Sequence, residues 1–312
     1  MSDKHKPVAI LLMGPTASGK TALSVSMAQA LNAEIISVDS ALVYKGMDIG
    51  TAKPTLAERG GIPHHLIDIL DPSESFSTGQ FRARALELMA DISRRGKLPL
   101  LVGGTMLYFS ALTQGLASLP EADRAIRQKL DRELAELGKE ALHARLAKVD
   151  PAAAARIHVN DPQRIQRALE VYEISGKPLS SFFESGQQND SEFDFVKFIV
   201  APEQRATLHE KIALRFKHML AQGFLEEVKV LRARGDLDES MPSIRCVGYR
   251  QAWSYLNGEY DYDSMVEKAI AATRQLAKRQ FTWLRKEQNA CHLLSESSGL
   301  LEAALLHCRQ HG

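Results

Sequence analysis

Residues 14–21 read Gly14-Pro15-Thr16-Ala17-Ser18-Gly19-Lys20-Thr21, and the apolar run Val8-Ala9-Ile10-Leu11-Leu12-Met13 leads straight into them. A phosphate-binding loop of this pattern works only where a buried strand ends and a helix begins, which fixes the first β-α unit. Gly14 and Gly19 let the backbone curl so that successive N–H groups point inward. Thr16, Ala17 and Ser18 complete that cradle, and the helix starting near Lys20 adds the positive end of its dipole. Lys20 brings a point charge, and the Thr21 hydroxyl is a candidate ligand for Mg²⁺, the expected cofactor.

The segments that follow extend this unit. Ala22 to Leu31 keeps apolar residues at helical spacing, and Glu34-Ile35-Ile36-Ser37-Val38-Asp39 reads as a short buried strand ending in a carboxylate. A helix pattern from Thr78 to Arg95 precedes a strand at Leu98 to Val102, which runs into Gly103-Gly104-Thr105. Strands alternating with helices imply a parallel sheet, whose ligands gather at the carboxyl ends of the strands. The phosphate loop, Asp39 and Thr105 should therefore meet.

From about Glu121 to Ser181 the β-branched runs give way to helix formers with interleaved charge, so residues 118–194 read as a helical insertion domain. Residues 1–117 and 195–312 form the catalytic core, with Gly186 to Glu192 as exit linker. Phe195 to Val200 resumes a strand pattern; helices are expected at 203–223, 225–234 and 264–286, and a last strand at 291–294. The fold class is α/β, a phosphate-loop NTPase-like parallel sheet flanked by helices and interrupted by that insertion.

With 312 residues the chain holds one large domain or two modest ones. Its formal net charge is only +1, so a nucleic-acid partner has to be met by a local patch. Residues 273–286 supply one: Arg274, Lys278, Arg279, Arg285 and Lys286 occur there without an acid, while Leu276, Ala277, Phe281 and Leu284 form an apolar stripe. The apolar run at 8–13 is too short for a membrane span or signal core, so a cytoplasmic protein is expected. Cys246, Cys291 and Cys308 lack paired spacing, and neither a disulfide framework nor a zinc site is indicated. No heptad asks for a partner helix, so a monomer is expected.

Hydrolytic phosphate-loop enzymes place a metal-holding Asp at a second strand end. Here the strand at 98–102 ends in Gly103-Gly104-Thr105, and the obvious strand-end carboxylate is Asp39. That suits transfer to an acceptor beside the phosphates, with Asp39 as base. A helix cap or a metal contact is the alternative for Asp39, and a local turn hydroxyl the alternative for Thr105. Kinase chemistry on a small metabolite explains the first hundred residues equally well, but leaves the insertion and the basic run without a task.

Several motifs carry a resemblance. The phosphate loop, Ser37-Val38-Asp39-Ser40 with Val43-Tyr44, Gly50-Thr51-Ala52-Lys53-Pro54, Gly61-Ile62-Pro63-His64-His65 and Gly103-Gly104-Thr105-Met106-Leu107-Tyr108 together resemble the bacterial tRNA dimethylallyltransferases. So do Asp161-Pro162-Gln163-Arg164, Arg245-Cys246-Val247-Gly248-Tyr249-Arg250, and Thr273-Arg274-Gln275 through Lys278-Arg279-Gln280 with Thr282-Trp283. Two departures are Met106, where many relatives have Gly, and Lys211, where Arg is common. The resemblance implies transfer of a dimethylallyl group from dimethylallyl diphosphate to the adenine beside a tRNA anticodon. It implies Asp39 as base, Thr105 near the reacting amine or the bridging oxygen, and Arg215 as a second cation on the diphosphate. It also implies a tRNA anticodon stem-loop partner met by Asp39, Ser40, Ala41, Leu42, Thr105, Gln163, Arg164, Ile165, Gln166, Arg167 and the 245–250 segment. Arg274, Lys278 and Arg279 would add backbone contacts, Arg127 would reach the anticodon arm or close the pocket, and Tyr44, Tyr108 and Trp283 are candidate stacking residues. An isopentenyltransferase acting on free adenine nucleotides would leave these RNA-facing segments idle.

Overall fold

The computed structural model describes residues 6–184 and 191–311. The linker expected at Gly186 to Glu192 lies largely outside them. The chain divides into two compact units, residues 1–113 with 191–312, and residues 114–190.

The first unit is built on β1 (Val8–Met13), α1 (Lys20–Ala30), β2 (Ala33–Val38), β3 (His64–His65), α2 (Thr78–Arg94), β4 (Leu98–Gly103) and α3 (Met106–Gln114). After the second unit, whose helices are α4 (Arg124–Val149), α5 (Pro151–Arg156), α6 (Pro162–Ser175) and α7 (Ser181–Glu184), it resumes with β5 (Asp194–Ala201). It closes with α8 (Arg205–Ala221), α9 (Phe224–Ala233), α10 (Tyr249–Leu256), α11 (Tyr262–Leu284), β6 (Ala290–Leu294) and α12 (Leu300–His311). The six strands are ordered β3-β2-β4-β1-β5-β6, and every pairing is parallel.

A parallel sheet needs cover on both faces, and the apolar runs supply it. Along β1, Ala9, Leu11 and Met13 pack with Phe81, Ala85, Met89 and Ile92 of α2 and Phe109 of α3. Their alternates Ile10 and Leu12 pack with Leu23 and Met27 of α1 and Ala304 of α12. Successive side chains of a strand point to opposite faces, so one short run serves two cores. A third cluster gathers Val43, Tyr44 and Met47, which follow β2, against Phe216, Phe224, Val228, Tyr249, Trp253 and Met265 of α8 to α11. Tyr44 and Tyr108 are thereby core residues, at 2% and 4% exposure, and do not offer stacking faces.

The second unit has its own core, with Leu130, Leu142 and Leu146 of α4 against Ile165, Ala168 and Leu169 of α6. Helix α4 breaks at Gly138, where φ is 79° and ψ 169°. Glu170, 1% exposed, is held by Arg127 and Arg167 and by the Asp123 N–H.

At the end of β4, a Cβ added to Gly103 would lie 2.0 Å from the carbonyl oxygen of Val38 on β2. A backbone ladder cannot give way as a flexible side chain can. Gly103→Ala should cost about 2 kcal/mol or more, read as a lowered denaturant midpoint; an unchanged midpoint would contradict this close strand contact.

Candidate active site

Strand register assembles the site. Met13 pairs with Gly103, and Gly103 pairs with Val38, so β1, β4 and β2 end in one row. The phosphate loop, Gly104-Thr105 and Asp39-Ser40 leave the sheet side by side. They line a cavity of about 820 Å³ together with Arg215, Arg245, Cys246, Arg279 and Trp283.

The loop has the backbone its sequence demands. Gly19 caps α1 at φ 84°, a left-handed conformation that side chains disfavour. Ala17 also lies at positive φ, 63°. Lys20 folds across the loop, its Nζ donating to Gly14 O at 2.9 Å and Pro15 O at 2.6 Å, with Ser18 Oγ at 3.4 Å. Thr16, Ala17, Ser18, Gly19 and Thr21 all line the cavity, and the buried Gly14 forms the turn behind them.

Asp39 sits just past the end of β2. Its Oδ1 accepts the Ala41 N–H at 2.8 Å and the Leu42 N–H at 3.4 Å. Thr105 reaches the same turn from β4: its Oγ1 accepts the Ser40 N–H at 3.1 Å, and its own N–H donates to Val38 O at 3.2 Å. The Thr105 hydroxyl is therefore at once a turn contact and a cavity-lining group.

Charge is concentrated here. Burial lowers the Lys20 ammonium to about 7; nearby Asp39 opposes the shift and Arg215 reinforces it. The Arg215 guanidinium is likewise lowered by burial and supported by Asp39. Two desolvated cations beside one carboxylate favour an anion between them. Burial, reinforced by Asp39, pushes the Cys246 thiol up to about 12, which keeps it protonated and unreactive. Lys211 also borders the cavity, its Nζ 3.2 Å from Glu296 Oε1.

The remaining expected contacts separate into groups. Ser40, Ala41, Leu42, Arg245, Cys246, Val247 and Arg279 border the cavity. Arg274, Lys278 and Arg279 are exposed on α11, and with Arg285 and Lys286 they form no ion pair among the described residues. Tyr249 departs from the expectation of an RNA-facing side chain: it is fully buried, and its hydroxyl donates to Glu227 Oε1 at 2.5 Å. The same carboxylate accepts the N–H groups of Asp48, Ile49 and Gly50, so Tyr249 braces the loop that brings Gly50, Thr51 and Ala52 to the cavity. Gly248 is buried as well, and Arg250 is exposed.

In the second unit Gln163 and Arg164 are exposed, whereas Ile165 is fully buried and cannot present its side chain to RNA. Its place on the inner stripe of α6, among Leu130 and Leu169, is the reason. Arg127 and Arg167 grip Glu170, Gln166 donates to Asp131 at 2.7 Å, and Arg164 pairs with Asp161 at 3.2 Å.

Gln280 is a site residue to which no role was expected. Its signal is nonetheless in the sequence, as a polar residue on the buried stripe of Ala277 and Leu284 in α11.

Because an anion beside Lys20 favours the ammonium, diphosphate binding above pH 7 should draw in a proton, and affinity should fall as pH rises from about 7. Calorimetry in buffers of different ionisation enthalpy should find this uptake reduced in Lys20→Met; equal uptake in both proteins would remove Lys20 from the anion site.

The IPP transferase family model matches residues 42–287. A tRNA dimethylallyltransferase of Methylococcus capsulatus is 58% identical over 309 residues, 99% of each chain. One from Nitrosococcus oceani is 57% identical over 299 residues, 96% of this chain and 95% of that protein. Among solved structures, a tRNA isopentenylpyrophosphate transferase of Staphylococcus epidermidis superposes with TM-score 0.72 at 38% identity, covering 98% of this chain and 100% of the other. A eukaryotic dimethylallyltransferase captured acting on tRNA superposes with TM-score 0.79 at 30% identity, covering 93% of this chain and 74% of the other. With relatives this similar from end to end, and strand ends that converge on one phosphate loop, the chain belongs to the IPP transferase family.

Proposed function

We propose that this chain transfers a dimethylallyl group from dimethylallyl diphosphate to the exocyclic amine of the adenine 3′-adjacent to the anticodon in tRNA, releasing diphosphate. The observation that carries this reading is a single cavity lined by the phosphate loop, the strand-end carboxylate Asp39, and cations of the C-terminal helices. A nucleotide-splitting site needs the loop. It would leave the exposed basic run of α11 without a task.

In the reaction the allylic C–O bond breaks and its electron pair stays on the diphosphate oxygen. The loop N–H groups, Lys20 and Arg215 stabilise that growing charge. The adenine nitrogen forms the new C–N bond and gives up a proton. Backbone N–H groups hold Asp39 Oδ1, which leaves Oδ2 to take that proton. Thr105 fixes the turn carrying Asp39, and its hydroxyl, on the cavity wall, would contact the reacting amine or the bridging oxygen.

The donor set fits Mg²⁺. The Thr21 hydroxyl is a hard oxygen donor on the cavity wall. Among the described residues no group of three His, Cys, Asp or Glu side chains could hold a metal. Mg²⁺ in such a site is held by one or two protein oxygens together with water and substrate phosphates. Thr21 would hold it, and when bound it would neutralise charge on the leaving group.

The target base leaves its stack to reach this chamber, and exposed cations on α11 would hold the flanking RNA backbone. We assign the 114–190 unit to the anticodon arm through Gln163 and Arg164, and the protein to the cytoplasm as a monomer. Among the described residues no helix is long and apolar enough to cross a membrane.

Incubation with Mg²⁺, labelled dimethylallyl diphosphate and unmodified tRNA, without ATP, should move label into RNA. Phosphorylation of a metabolite on adding ATP, with no labelled RNA, would overturn the proposal. Asp39→Ala should lower turnover at least about 100-fold while RNA affinity stays within a few-fold; parallel loss of both would make Asp39 structural. Replacing Arg274 and Arg279 by Ala should weaken RNA binding and flatten its salt dependence by about one unit of slope per lost contact. An unchanged slope would take them off the interface.

A further inference from the structure

Gln280 is 8% exposed, and both ends of its carboxamide are engaged. Oε1 accepts the Thr16 N–H at 2.9 Å, and Nε2 donates to Gly104 O at 2.9 Å. Only one orientation of the amide satisfies a backbone donor and a backbone acceptor together, so the assignment of its oxygen and nitrogen follows from its partners. Gly104 is fitted to the contact, since a Cβ there would lie 2.4 Å from Nε2.

The bonds continue in both directions. Thr16 belongs to the anion cradle. Gly104 leads into Thr105, whose hydroxyl accepts the Ser40 N–H, and Ser40 follows Asp39. Gln280 thus closes a chain from the phosphate loop to the base-bearing turn, and does so from α11, next to the exposed cations Lys278 and Arg279.

We infer that Gln280 is a positioning residue that holds the donor and acceptor halves of the site in one frame, through the Thr16 N–H and the Gly104 carbonyl. This rests on the transfer reading above. Binding of each substrate alone needs only its own half; their alignment needs both. Misplacement by about an ångström costs on the order of 100-fold in rate.

The test compares the full-length protein with Gln280→Met and Gln280→Glu. For Gln280→Met, turnover should fall about 100-fold, while dissociation constants for inorganic diphosphate and for an anticodon stem-loop RNA each stay within about threefold of the parent. Turnover within about threefold of the parent, or binding lost in proportion to turnover, would overturn the inference. The glutamate variant keeps the test open if the methionine variant does not fold. A protonated carboxyl has one donor and one acceptor, like the carboxamide, whereas a carboxylate faces the Gly104 carbonyl with no proton to give. The ratio of variant to parent turnover should therefore rise as pH falls through the range of a buried carboxyl, about tenfold from pH 8 to pH 5.5. A flat ratio would also overturn the inference. Parent protein that puts no label into RNA defeats the transfer reading itself, whereas active parent with equally active variants defeats the role of Gln280 alone.

Discussion

The register of three parallel strands is the constraint on which the site depends. Because Met13, Gly103 and Val38 share one row, the residues that follow them emerge as neighbours although they are far apart in sequence. Nothing in the phosphate loop itself specifies where Asp39 will stand. The ladder between β2 and β4 does, and the glycine at the end of β4 lets the two backbones close to that distance. A slip of one residue would send every side chain of the moved strand to the opposite face.

Electrostatics then divides the labour. Lys20 and Arg215 lose solvation in the cavity and recover it only in part from Asp39, so the chamber is prepared for an anion before one arrives. The α11 cations face solvent without ion-pair partners among the described residues, whereas those of the helical unit mostly grip its own acids. Arginines of the second kind hold a fold together; those of the first are available to a polyanion.

The strand ends were legible because buried parallel strands are rich in apolar residues: β1 is one continuous apolar run, and β2, β4 and β5 are mostly apolar, broken by Glu34 and Ser37, by Pro99, and by Lys197. The phosphate loop, Asp39 and Thr105 could be placed together on that ground alone. What escaped has physical reasons. β3 is two residues long and owes its place to pairing with β2, not to its own pattern. α10 spans only eight residues after a positive-φ glycine, short of the roughly ten or more that set a helix apart from a turn in sequence. α12 follows the last strand and covers the sheet through Ala304 and Cys308. Tyr249 and Ile165 were expected to face RNA because the resemblance assigns the whole segments 163–167 and 245–250 to that partner. A helix or turn presents only some of its residues, and these two fall on the inner side.

The helical unit enters the chain between α3 and β5, yet β5 pairs with β1, the strand that carries the phosphate loop. As the polypeptide emerges from the ribosome, the long flank of β1 that β5 later covers has no mate until residues 194–201 are synthesised. The intervening helices satisfy one another through short-range contacts and can settle first. The nascent N-terminal half therefore carries an open edge strand for as long as it takes to make roughly ninety residues, which is the interval in which a chaperone has something to hold.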